Sequence, residues 1–130
     1  MTMLKLISAQ DHQPPAEGDT RTVALPNDAD AMALPLGGVE RVDLHFPNFT
    51  DGRAFSQAFL LRRRRGFKGE IRATGDVLID QLVQMQRTGF SSAVLREGVD
   101  AADAQRQFEL FPGFYQGDAV NPQPLFAAKA

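Results

Sequence analysis

Between residues 39 and 95 the spacing of apolar side chains switches repeatedly between a period of two and a period near 3.6. A stretch that does this in so few residues is confined to alternating strands and helices. Arg41-Val42-Asp43-Leu44-His45-Phe46 alternates polar and apolar residues and predicts a half-buried strand, which Pro47 ends. After an Asp51-Gly52 turn, Ala54, Ala58 and Leu61 recur at i, i+4 and i+7 with Phe55 and Phe59 beside them. Residues 53–65 therefore read as an amphipathic helix. Gly66 stands where a helix-ending glycine would, behind the run Arg62 to Arg65, whose charges suit the negative end of a helix dipole. Glu70 to Thr74 reads as a second strand. Gly75-Asp76 opens a second helix with the stripe Val77, Leu78, Leu82 and Met85, closed by Gly89. Ser92 to Leu95 is a third strand, and Ala101 to Phe111 a third, weaker helix.

Short loops between strands and helices of about three turns favour parallel pairing with right-handed crossovers. The expected fold is α/β, a single small domain built on a βαβαβα unit with a parallel sheet, open or resembling part of a barrel. The strand count is too small for a closed barrel. This core spans residues 39–111. Residues 1–38 read as a loosely defined lead-in. Within it, Met3 to Ile7 suits a short edge strand, and Asp11 to Asp19, with Pro14, Pro15 and Gly18, a flexible loop. Thr22 to Leu25 suits another short strand, and Asn27-Asp28 the cap of a brief helix ending near Pro35. Residues 112–130 read as an extended tail whose Phe114, Tyr115, Leu125 and Phe126 need cover, for which a second subunit is the natural source. A homodimer is expected.

Composition narrows the function classes. A net charge of -2 supplies no overall field for a polyanion, so no nucleic-acid partner is expected. Arg62 to Arg65 is the one basic run, and it reads as a solvated helix end because no stacking aromatics interleave it. With no cysteine there is no disulfide, no thiolate metal site, no iron-sulfur ligation and no cysteine nucleophile. The apolar patch at residues 3–7 is too short for a secretion signal or for the roughly 20 residues of a membrane span, so a cytoplasmic protein is expected. Gly66, Gly69 and Gly75 fit neither the dinucleotide nor the P-loop spacing, and no cofactor or metal is expected.

Parallel α/β sheets bind ligands at the carboxyl ends of their strands, where loops and helix starts converge. That places His45, Asp51, Arg53, Arg72, Gly75 and Asp76 among the candidates. Asp51 suits a helix cap, while Arg53 in a first helical turn opposes the dipole, so it should face a carboxylate or help bind an anion, with Ser56 one turn on. Asp76 and Asp80, four apart on the expected second helix, would share a face as paired carboxylates do in metal or acid-base sites. As plain structure, Asp76 is a cap and Asp80 the partner of Arg72 or Arg53. Glu70 and Arg72 flank Ile71 and point to one face of their strand, where an ion pair is expected if that face is buried. His45 is a candidate base. His12 lies in the lead-in, so no histidine cluster is expected.

Taken together, Phe46-Pro47, Phe49, Asp51-Gly52-Arg53, Phe55-Ser56, Ala58, Leu61-Arg62, Gly66 through Ala73, Gly75 through Leu78, Asp80-Gln81 and Gly89-Phe90 resemble the bacterial domain-of-unknown-function family 934. The similarity spans roughly residues 39–110. Ile79 stands where that family often has a basic residue and Thr88 where it often has a cysteine. Family members are often labelled as oxidoreductases of sulfite reduction, because they tend to be encoded beside a sulfite or nitrite reductase. The resemblance thus implies an accessory protein of assimilatory sulfite reduction that binds a reductase partner or a small anion at the carboxyl edge of the sheet. A small enzyme acting on an anionic sulfur metabolite is the alternative. Asp76, Asp80 and His45 would be its catalytic groups, with Asp51, Arg53, Ser56, Arg72, Gly75 and Gln81 holding the ligand.

Overall fold

The computed structural model of the chain describes residues 4–48 and 51–110. Phe49 and the tail expected over residues 112–130 lie outside them. Five parallel strands form one sheet: β1 (Lys5–Ile7), β2 (Thr22–Leu25), β3 (Arg41–Phe46), β4 (Glu70–Gly75) and β5 (Ser92–Val94). Their spatial order is β1-β5-β4-β3-β2. The three strands expected in the core are thus the middle of the sheet, and the lead-in contributes both edges. Helix α1 (Arg53–Phe59) joins β3 to β4, α2 (Leu82–Thr88) joins β4 to β5, and α3 (Ala101–Leu110) follows β5. No helix among the described residues is long and apolar enough to cross a membrane.

Alternation along the strands sorts their side chains onto two unlike faces. Val42, Leu44 and Phe46 of β3, Ile71 and Ala73 of β4 and Ala93 of β5 share a buried cluster with Ala54, Ala58 and Leu61 and with Leu82 and Met85. Both crossovers therefore cover the same face. Small Ala54 and Ala58 on α1 let its backbone approach the sheet, and Phe46, Phe55 and Phe90 fill the space beside it with ring centroids 5.0 to 6.1 Å apart. α3 buries Ala104 and Phe108 against β1 and the start of the α2 segment.

The other face carries Arg41, Asp43, His45, Glu70, Arg72, Thr74 and Ser92, and among the described residues neither crossover helix covers it. β1 and β2 lie at opposite edges of the sheet, so the segment joining them must cross it. That segment, read from sequence as flexible, is tied down on the polar face: Arg41 donates through Nη2 to the Gln13 carbonyl at 2.8 Å, and His12 sits between Asp43 and Arg72.

Three local expectations change. The helix expected over 53–65 is α-helical only to Phe59 and then widens into a π turn over Leu60–Arg64, where the Arg65 amide bonds the Leu60 carbonyl. The wider turn aims Arg62 and Arg65 inward, so half of the arginine run is structural rather than solvated. Arg62 donates to the carbonyls of Gly89, Phe67 and Gly69 and to the Ser91 hydroxyl, and Arg65 donates to those of Ala31 and Leu34.

The second helix starts at Leu82, not at Asp76. The Asp76 amide bonds the Phe46 carbonyl at 2.8 Å, prolonging the ladder with β3, and Leu78 stays extended before a 3₁₀ turn at Ile79–Gln81. Lastly, the brief helix near Pro35 is a 3₁₀ turn over Ala31–Ala33. Its cap is Asp30, whose carboxylate accepts from the Met32 amide, rather than Asn27 or Asp28.

Candidate functional site

On the polar face the strand register sets charged side chains beside one another across neighbouring strands. Asp43, 4% exposed, accepts two hydrogen bonds from Arg41 at 2.8 and 3.0 Å. Arg72 lies opposite Asp43 in register but pairs with Glu70 at 2.8 Å, as expected for that face. Ser92 donates to the same Glu70 oxygen at 2.5 Å. Arg72 also donates to Nδ1 of His12 at 3.0 Å, while Nε2 of His12 stands 3.9 Å from Asp43. Since the guanidinium can only donate, that Nδ1 carries the lone pair. The network of Arg41, Asp43, His12, Arg72, Glu70 and Ser92 thus runs from β3 to β5 beneath the crossing loop.

Burial lowers the His12 pKa. Asp43 pulls it up, Arg72 and Arg41 push it down and Glu70 pulls it up again, leaving it below the ordinary value. For Glu70, burial pushes the carboxyl up, but the Ser92 and Arg72 hydrogen bonds outweigh it and hold the pKa below the usual carboxylate value.

Toward the carboxyl ends of the strands this face opens into a cleft of about 410 Å³, lined by His12, Asn27, Asp43, His45 and Thr74. The chain's two histidines, which sequence spacing kept apart, therefore share one cleft. His45 Nδ1 lies 3.4 Å from the Thr74 hydroxyl, and its ring rests against the backbone of Gly75. Gly75 is required there: its φ is +93°, and a Cβ would stand 2.3 Å from the Phe46 carbonyl oxygen and 2.7 Å from the His45 ring. His45 is thus an exposed side chain lining the cleft beside the Thr74 hydroxyl.

The loops beyond the strands are stitched to one another. Asn27 donates to the His45 carbonyl at 3.1 Å and also bonds Asp51. Asp51 accepts from the Arg53 amide at 2.9 Å and from its guanidinium at 3.3 and 3.1 Å. The Arg53 amide, then its guanidinium, holds the Asp51 carboxyl below its ordinary pKa. Arg53 does face a carboxylate, that of Asp51, which bonds its amide from one residue ahead of the Gly52 N-cap, so the cap expected at Asp51 falls at Gly52. Ser56 is exposed one turn further along α1.

Asp76 pairs with Arg96 at 3.5 Å. The bend at Asp76, where the Val77 amide bonds the Gly75 carbonyl, and the extended backbone of Leu78 remove the shared helical face expected for Asp76 and Asp80. Asp80 sits exposed in the 3₁₀ turn, lining with Arg96 a separate cleft of about 340 Å³, and Gln81 ends that turn as the N-cap of α2. Asp80 partners neither Arg72 nor Arg53, which are taken by Glu70 and Asp51. Arg72, mid-strand and bound to Glu70, Ser92 and His12, is a member of the sheet's network, whereas Arg53 is at the rim. Among the described residues no three His, Asp or Glu side chains gather as a metal site would require. Thr88 donates its hydroxyl to the Gln84 carbonyl, and Ile79 packs on the core.

Sequence reading missed His12 and Asn27. The available signal was the density of charge on the second face of β3 and β4, which demands partners from another segment.

Comparison with curated proteins and comparison with solved structures each found no significant match. The profile of the family described as "Bacterial protein of unknown function (DUF934)" matches residues 22–126, a stretch that begins at β2 and takes in β3, β4, β5 and all three helices, and the chain belongs to that family.

Proposed function

We propose that the protein is an accessory component of assimilatory sulfite reduction that engages a reductase partner or a small anion at the carboxyl end of its sheet. What supports the sulfur connection is the family resemblance described above. What supports binding at this end is the state of two arginines. Arg53 and Arg96 are each anchored through one carboxylate, Asp51 and Asp76, yet keep 64% and 55% of their side chains exposed. A guanidinium has five donors, so a tether of this kind leaves donors directed at solvent or a ligand. A homodimer belongs to the same proposal. The alternative, a small enzyme acting on an anionic sulfur metabolite, is favoured by the His45–Thr74 pair in its cleft.

Thermal shift with sulfite, sulfate and phosphate tests anion binding, since a ligand bound only by the folded chain raises the melting temperature. Stabilisation that disappears in Arg53→Ala and Arg96→Ala is expected. Stabilisation untouched by both substitutions places the anion elsewhere. For the partner, purified protein and purified sulfite reductase should co-elute in gel filtration, and independent elution sinks the accessory role. Turnover of a sulfur oxyanion that is lost in His45→Ala would favour the enzyme instead.

A further inference from the structure

At the opposite end of the sheet, ahead of β4 and β5, a third cleft of about 390 Å³ lies between the π turn and the end of α2. Arg62, Arg63, Lys68, Arg87, Thr88 and Ser91 contribute to its lining, and no carboxylate does. Helix ends explain part of this charge. Each helix C-terminus carries about half a negative charge, so the ends of the π turn and α2 together offset about one cation. Arg62, whose Nε donates to Gly89 at the end of α2, fills that role.

Arg63, Lys68 and Arg87 remain beyond that one cation, and of these Arg63 and Lys68 stand exposed. Among the described residues neither forms an ion pair, and Arg63 is held over the Phe59 ring at 5.7 Å, positioned without being neutralised. Arg62 itself is held only by neutral acceptors. Its burial lowers its pKa, with no carboxylate opposing the shift. With the helix ends offsetting Arg62, the charge left uncompensated in the cleft is that of the exposed Arg63 and Lys68, which an anion from outside can neutralise.

We propose that this cleft is a second binding site, for a small molecule bearing a phosphate or sulfate group. The volume falls in the range of small-molecule sites, and clustered cations in a concave wall concentrate anions. The site is independent of the carboxyl-end proposal, which uses Arg53 and Arg96.

Calorimetric titration of the full chain with inorganic pyrophosphate at low salt provides the test. Saturable binding is expected, weakened about tenfold or more by Arg63→Ala and by Lys68→Ala, the loss of one charge-assisted contact, and unchanged in Arg106→Ala, which removes an exposed cation of α3. Lys68→Gln, which keeps a hydrogen-bonding side chain one atom shorter and removes the charge, should weaken it equally if charge is what matters. Absence of saturable binding, or binding that Arg63→Ala and Lys68→Ala both leave intact, overturns the site. So does loss in Arg53→Ala alone, which moves the anion to the carboxyl end. A parallel sulfate titration identifies which of the two oxyanions the cleft prefers.

Discussion

Gly75 joins two demands at one position, a left-handed backbone and close approach to β3. Alanine there would be strained at φ +93° and would collide with the Phe46 carbonyl, and the neighbouring ladder fixes both partners. We expect Gly75→Ala to cost about 3 kcal/mol, against about 1 kcal/mol for Gly66→Ala, where φ is +65° but the space around is open. Urea denaturation of the two variants measures the difference, and equal losses would show that the contact with His45 and Phe46 does not matter. His12 sets a pH dependence. Its folded pKa lies below the value of 6.5 for the free side chain, so the unfolded chain binds more protons over that interval. The stabilisation is complete above about 6.5 and is lost as pH falls toward the folded pKa. The charges facing the ring are Asp43, Arg72, Arg41 and Glu70. His12→Gln should flatten the stability profile just below pH 6.5 while leaving the lower limb, where Glu70 takes up its proton, in place. A profile identical to the parent would remove His12 from the acid response.

At the level of elements, the π turn after α1 works as a clamp. By widening the helix it sends one guanidinium to carbonyls of the loop before β4 and of the turn before β5, joining the segments ahead of two central strands. Arg62→Met keeps the length of the stem and removes the donors. Stranded carbonyls cost about 1–3 kcal/mol each where water cannot reach them, while release from burying a charge returns part of that. We expect a net loss of about 2 kcal/mol with an unchanged denaturant slope. Stability within about 0.5 kcal/mol of the parent would mean that solvent replaces those bonds, as it does for ordinary surface substitutions.

For the whole molecule, the open question is what meets the sheet's edges. β1 and β2 are short parallel edge strands of three and four residues, and among the described residues each has one neighbouring strand only. Under the proposed dimer, light scattering should give twice the 14.3 kDa of one chain. A mass of one chain at micromolar concentration would refute it.

The central α/β plan was legible because it depends on period. Val42, Leu44 and Phe46 alternate, Ala54, Ala58 and Leu61 recur by helical turns, and burial of those same residues follows. Helix termini at Gly66 and Gly89 were legible for the same local reason, since a left-handed backbone favours glycine. The ion pair of Glu70 and Arg72 could be read from their shared face, although the third and fourth partners, His12 and Ser92, could not. Long-range pairing decided the rest. A hydrogen bond from Asp76 to Phe46 kept residues 76–78 out of the helix, so Asp80 lost the neighbour that its spacing implied. The placement of β1 and β2 at opposite edges drew residues 8–21 across the polar face and brought His12 to the cleft of His45. Periodicity is a property of consecutive residues, whereas these contacts join positions up to 60 apart, and only closure of the sheet selects them.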